Sequence, residues 1–168
     1  MLALTSLVVV FASYNPAAVA HSSQDNFFAR ASLGDRAIAD IDATIHFKPA
    51  NADTYFGRAR THFDKGRYDR AIAAYDAAIR LDPGAAGTYV NRGNAYASKG
   101  DFTRALTDYD AAIRLKPDLA AAYINRGIVF AKQDSLEWAL RDFGRAYDLN
   151  FRPAWLVEML QGHGRLLR

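Results

Sequence analysis

The sequence predicts an all-α protein, a solenoid of helical hairpins closed by a C-terminal capping helix. Three observations predict it. The chain repeats itself with a period of 34 residues. Each repeat holds two stretches with apolar and small residues at helical spacing, parted by a short polar break. Proline recurs at one place, as Pro49, Pro83 and Pro117, where the second stretch must stop. Proline lacks an N–H and disfavours helix in the residue before it.

The period is read by aligning four segments. Residues 34–49 are GDRAIADIDATIHFKP, 68–83 are YDRAIAAYDAAIRLDP, 102–117 are FTRALTDYDAAIRLKP, and 136–151 are LEWALRDFGRAYDLNF. The preceding halves align as TYFGRARTHFDKG from Thr54, TYVNRGNAYASKG from Thr88 and AYINRGIVFAKQD from Ala122. These give a first unit at 21–51 that is degenerate, then units at 52–85, 86–119 and 120–153, and a final segment at 154–168.

Within the third unit, Tyr89, Arg92, Gly93 and Tyr96 fall at i, i+3, i+4 and i+7, on one helical face. Ala105, Tyr109 and Ala112 do the same in its second half, and Lys99-Gly100-Asp101 breaks the two. One such hairpin cannot bury both its faces, so neighbours must stack to make a core. In the last segment, Trp155, Leu156, Met159 and Leu160 share a face, as expected of a helix that covers the end of the array.

This pattern closely resembles the tetratricopeptide repeat family, over roughly residues 21–151. The family places an aromatic, a leucine-glycine pair, an aromatic, an alanine, an aromatic and a proline in order. Here Tyr89, Gly93, Tyr96, Ala105, Tyr109 and Pro117 stand at those places. Tyr123, Gly127, Phe130, Ala139 and Phe143 stand there again, and the second unit has Tyr55, Ala59, His62, Ala71, Tyr75 and Pro83. The departures are Arg58, Arg92 and Arg126 in place of the leucine. Their stems can cover apolar surface while their heads reach water or an acid such as Asp108 or Asp142. Phe151 replaces the last proline, and Asp25 stands where a glycine is expected.

The resemblance implies a protein-interaction module, an adaptor or scaffold that takes an extended peptide or partner protein in a groove lined by the first helix of each hairpin. Asn91 and Asn125 occupy successive equivalent positions there. An amide offers both a donor and an acceptor, so it can pair with the backbone of an extended segment. The alternative for both is a local hydrogen bond or plain solvation. Gly57 fills the equivalent place one unit earlier. By the same resemblance, Phe56, Arg60, Val90, Asn94, Ile124, Ile128 and Lys132 line the groove, a mixed surface suited to an extended segment with apolar side chains. The family's carboxylate clamp is not reproduced: its second pair of basic groups would fall on Gly87 or Ala121 and on Asn91 or Asn125. A second reading is a structural subunit that docks through its convex face or its ends. A carrier that holds a small molecule among the tyrosines is a third, opposed by the recurrence of those tyrosines as packing residues.

Other classes find little footing. The chain has no cysteine, which excludes disulfides and thiolate chemistry. Net charge is +3, and Lys and Arg are interspersed with Asp and Glu rather than gathered in a basic stripe, so nucleic acid is not the expected partner. His21, His46, His62 and His163 form no metal-ligand pattern, and His62 stands at an aromatic position of the repeat. Asp76 and Asp110 recur with the period, which marks structural or solvated positions rather than an acid–base pair. No enzyme activity, cofactor or metal is expected.

Residues 2–12 are apolar but for Thr5 and Ser6, then come Pro16, Ala18-Val19-Ala20 and the polar run His21 to Asp25. This is the layout of a secretory signal over 1–20, too short to serve as a stable membrane span, with cleavage after Ala20 and export to the periplasm. No Lys or Arg precedes the apolar run. The alternative is a cytoplasmic protein in which this run packs on the array as a helix.

Overall fold

The computed structural model describes residues 51–162. The expected leader, the degenerate unit before residue 51 and the tail 163–168 lie outside the described residues. Seven helices follow one another: α1 (Ala52–Asp64), α2 (Tyr68–Leu81), α3 (Ala86–Ser98), α4 (Phe102–Leu115), α5 (Ala120–Lys132), α6 (Leu136–Asp148) and α7 (Ala154–Gly162). Among the described residues there is no strand, and no helix is long and apolar enough to cross a membrane.

Local chemistry sets the helix ends. Asn51 caps α1 by accepting the Thr54 backbone N–H at 2.8 Å, and Asp101 caps α4 by accepting that of Arg104 at 3.1 Å. The turns inside the hairpins reuse one device. The residue after the C-cap of α1, α3 and α5 takes a left-handed φ, at Gly66 (68°), Gly100 (81°) and Asp134 (56°). The next N–H then returns to a carbonyl five residues back: Arg67 to His62 at 2.9 Å, Asp101 to Tyr96 at 2.9 Å and Ser135 to Phe130 at 2.9 Å. Helices α2 and α4 stop two residues before Pro83 and Pro117. Helix α6 has no such proline, and Asn150, at φ 67°, turns the chain instead while the Phe151 N–H bonds to Ala146 at 3.0 Å.

Packing is nearest-neighbour. The pairs α1–α2, α3–α4 and α5–α6 form hairpins, each second helix meets the next first helix, and the first helices touch from one hairpin to the next. Each hairpin is centred on one ring: Tyr75, Tyr109 and Phe143, all about 1% exposed. Small residues on the first helix make room for these rings. A Cβ on Gly93 would lie 2.7 Å from Tyr109 Cε1, and one on Gly127 would lie 2.7 Å from Phe143 Cε1, so the helices approach as closely as they do only because those side chains are missing. Ala59, fully buried, stands at this place in α1. His62 is buried too, as its aromatic position implies.

Helix α7 closes the array. Leu156 is fully buried in the cluster of Ile124, Ile128, Ala139 and Phe143, and the Trp155 ring meets Phe143 edge-on at 5.9 Å. Trp155, Met159 and Leu160 pack against the same cluster.

Candidate functional site: the first-helix face

The recurring arginines tie each first helix to the second helices on either side of it. Arg92 on α3 donates from Nε to Asp108 Oδ2 at 2.9 Å, from Nη2 to Asp108 Oδ1 at 2.6 Å, and from Nη1 to Asp76 Oδ1 at 2.6 Å. Arg126 on α5 repeats the pattern, with two bonds of 2.7 Å to Asp142 and one of 2.5 Å to Asp110. Each guanidinium thus holds the second helix of its own hairpin by a two-pronged contact and the second helix of the hairpin before by a third bond. Rings flank them: Arg92 lies 5.6 Å from the Tyr89 centroid, and Arg126 lies 5.7 Å from that of Tyr123. Hydrogen bonding to the carboxylates pushes both arginines further toward the charged form. Burial pushes Asp142 up, against the pull of Arg126. These charges are matched inside the protein, so the arginines are structural clamps. Asp76 and Asp110 are the acids of the preceding hairpin in each clamp.

The residues expected to line a groove divide into two groups. Asn94, Asn125, Ile128 and Lys132 come together around a recess of about 220 Å³. The recess joins α3 to α5, with Tyr68 and Tyr109 of the second helices contributing to its lining. Tyr109 donates its hydroxyl to Asn94 Oδ1 at 2.8 Å, which fixes that amide and leaves its N–H₂ as donor. Ile128 supplies an edge only, being 4% exposed. Lys132 is exposed, with Nζ 6.0 Å from the Phe102 ring.

The remaining residues lie outside that recess. Val90 and Ile124 are core residues, at 6% and 3% exposure, each enclosed in the cluster of its hairpin. They share a helical stripe with Asn94 and Ile128, one turn earlier, where the array closes over them. Neither offers surface to a ligand. Phe56 is half-buried, its ring against that of Tyr75 at 5.8 Å. Arg60 is exposed on α1 and does not line the recess. Asn91 donates from Nδ2 to the Gly87 carbonyl of its own helix at 2.9 Å, the local alternative for this residue. Asn91 and Asn125 thus differ in surroundings, Asn125 lining the recess and Asn91 bonding within its own helix.

Tyr68, Ala97, Ser98, Tyr109 and Val129 also line the recess and were not singled out by sequence. Ser98 was legible: it lies four residues after Asn94 and 34 before Lys132. Tyr109 is a packing residue whose hydroxyl bonds to Asn94 at the recess. Among the described residues, no group of His, Asp or Glu is arranged to hold a metal ion.

Known proteins share this repeat and this fold. A family model described as TPR repeat matches residues 59–100 and 93–134. The first TPR of Spaghetti (RPAP3), solved with an HSP90 peptide SRMEEVD, is 26% identical over 70% of this chain and 93% of that one, with a TM-score of 0.63. The first TPR domain of human RPAP3 is 27% identical over 71% and 94%, also at 0.63. MamA, at 24% identity over 73% and 72% with a TM-score of 0.67, shares the fold. No curated protein matches. With the family match running from within α1 to the turn after α5, and these structures sharing the fold, the chain carries tetratricopeptide repeats over residues 59–134.

Proposed function

We propose that this chain is a protein-interaction module that receives an extended segment of a partner along its first-helix face, seated at the recess between Asn94 and Asn125. The observation that carries this reading is the recess itself. It sets the amides of Asn94 and Asn125, the Ser98 hydroxyl and the Lys132 ammonium around the apolar edges of Ala97, Ile128 and Val129. Amides can serve a peptide backbone whatever its side chains, and the apolar edges accept one side chain of modest size. The peptide bound to the RPAP3 repeat supports the mode of binding. The ligand differs, because Gly87 or Ala121, and Asn91 or Asn125, stand where the family's clamp for a terminal carboxylate needs its second basic pair. An internal extended stretch fits better than a chain end.

The test is crosslinked capture from cells, comparing wild type with an Asn125→Ala, Lys132→Ala variant of equal helicity by circular dichroism. A partner held by wild type and released by the variant supports the recess. Retention of the same partner by the variant removes it, and a Trp155→Ala variant then asks whether the capped end is the docking element, as the structural-subunit reading requires.

We also infer export, from the apolar run and the Ala18-Val19-Ala20 segment alone. N-terminal sequencing of the protein from cells should begin at His21, and an intact start at Met1 would leave a cytoplasmic protein.

A further inference from the structure

A second recess, a cleft of about 840 Å³, opens where α5, α6 and α7 meet, and it shares no residue with the first. The 34-residue register explains why it is open. Gly144 stands where Asp76 and Asp110 stand in the earlier hairpins. Leu160 stands where Arg92 and Arg126 do, and Val157 where Tyr89 and Tyr123 do. At the preceding junction, Arg126 bridges Asp142 to Asp110 beneath the Tyr123 ring. At the last junction the carboxylate, the guanidinium and the phenol are all replaced by smaller apolar groups, and the space they would fill is the cleft.

The walls change at the same hairpin. Positions held by Ala73 and Thr107 become Arg141, those held by Ala77 and Ala111 become Arg145, and those held by Arg70 and Arg104 become Trp138. All three line the cleft. Trp138 is 56% exposed, with the Arg141 guanidinium 5.7 Å over its ring and Phe130 behind it at 6.1 Å. Among the described residues, neither Arg141 nor Arg145 makes an ion pair. The acids lining the cleft are Asp142, already held by Arg126, and Asp148 at the rim. The cleft is therefore an apolar floor and an aromatic wall beside two exposed arginines, of which Arg141 rests on the Trp138 ring. The tail that follows α7 carries Arg165 and Arg168, like charges to these walls, and so suits the cleft poorly.

We propose that this cleft is a second docking site, for an acidic segment of a partner protein that inserts one aromatic or aliphatic side chain over Val157 and Leu160 while its carboxylates pair with Arg141 and Arg145. Arginine binds carboxylates through a planar fork and stacks on aromatic rings, so this set of walls discriminates by charge and by shape. Because the two recesses share no residue, both can be occupied at once, and the chain would join two partners.

The probe is a fluorescein-labelled peptide with one phenylalanine between two runs of three glutamates, followed by anisotropy with the full chain. Binding at micromolar to millimolar peptide, weakened by added salt, is expected. The Arg141→Glu, Arg145→Glu variant should lose roughly tenfold or more, the scale on which opposed charges act at an interface. Trp138→Ala should also weaken binding, and Asn125→Ala, Lys132→Ala should leave it unchanged. Both arginines are exposed, so the reversed variant should melt like wild type. The proposal is overturned by no binding at millimolar peptide, by equal binding of the lysine version of the peptide, or by charge reversal without effect. Displacement of the peptide by oligo-dT with higher affinity would also overturn it, in favour of a nucleic-acid site. Loss in the Asn125, Lys132 variant would assign the peptide to the first recess instead.

Discussion

Arg92 and Asp108 lie 16 residues apart in one hairpin and meet through two parallel hydrogen bonds of 2.9 and 2.6 Å, with the Asp108 side chain only 4% exposed. The acid of the preceding hairpin, Asp76, lies 16 residues on the other side and takes the third bond. One guanidinium therefore sets both the closure of its own hairpin and the stacking on the one before.

Removing the guanidinium leaves a buried carboxylate with no counter-charge. Arg92→Met should lower unfolding stability by about 3 kcal/mol, the scale for breaking one partner out of a buried pair. Adding Asp108→Leu should restore most of the loss, since an apolar pair of similar volume avoids desolvating two ions. Urea melts of the single and double variants measure both. A double variant as unstable as the single one would mean that the clamp contributes more than charge matching.

Glycine is required where the ring comes closest. Gly127→Ala places a methyl 2.7 Å from Phe143 Cε1 and 3.2 Å from the Ala139 carbonyl, so something must move. A loss of about 1–3 kcal/mol is expected, as for overpacking elsewhere. Gly87→Ala is the control: a Cβ there meets nothing within 4 Å, and a helical site gains up to about 1 kcal/mol from alanine. Thermal melts of the two should move in opposite directions.

The turn between α5 and α6 carries a side chain where its two equivalents carry none. Asp134 holds φ 56°, while Gly66 and Gly100 hold the same region without a Cβ. Asp134→Gly should stabilise by up to about 1 kcal/mol, and Gly100→Ala should destabilise by about the same amount, reflecting the left-handed penalty for a side chain. Denaturant midpoints decide. A neutral Asp134→Gly would mean that the lost chain entropy of glycine cancels the relief.

The α4 cap gives a pH signature. The Arg104 backbone N–H, and then its side chain, hold the Asp101 carboxyl below its ordinary value of 3.8. A group lowered in the folded state stabilises above its unfolded value, and that contribution is lost as pH falls through the folded value. The stability gap between wild type and Asp101→Ala should therefore be constant near neutrality and shrink below about pH 3.8. Asp101→Ser keeps an acceptor that does not titrate, so its gap to the alanine variant should persist in acid. Chemical denaturation at several pH values reads both.

The interior of each repeat was legible because its causes are local. Proline and the Gly66 and Gly100 turns act within a few residues, and helical spacing marks Tyr75, Tyr109 and Phe143 as inward. The recurrence of Arg92 and Arg126 beside recurring aspartates already pointed to pairing with Asp108 and Asp142. That Asp76 and Asp110 complete each clamp was not visible, because the third bond crosses from one hairpin to the next and depends on how they stack. The groove was partly legible for the same reason. Val90 and Asn94 occupy one helical stripe, so periodicity gives them one address, yet neighbouring helices enclose Val90 and leave Asn94 at the rim of the recess.

The sequence by itself determined the unit, two helices and a turn, and the order in which units follow, because a 34-residue period of small and aromatic residues with punctuating prolines allows one local solution repeated. Only the tertiary structure decided which face of that solution meets solvent. Gly144, Val157 and Leu160 are unremarkable in sequence. They become the floor of a cleft because stacking brings three helices to one point and none of these side chains is large enough to fill it.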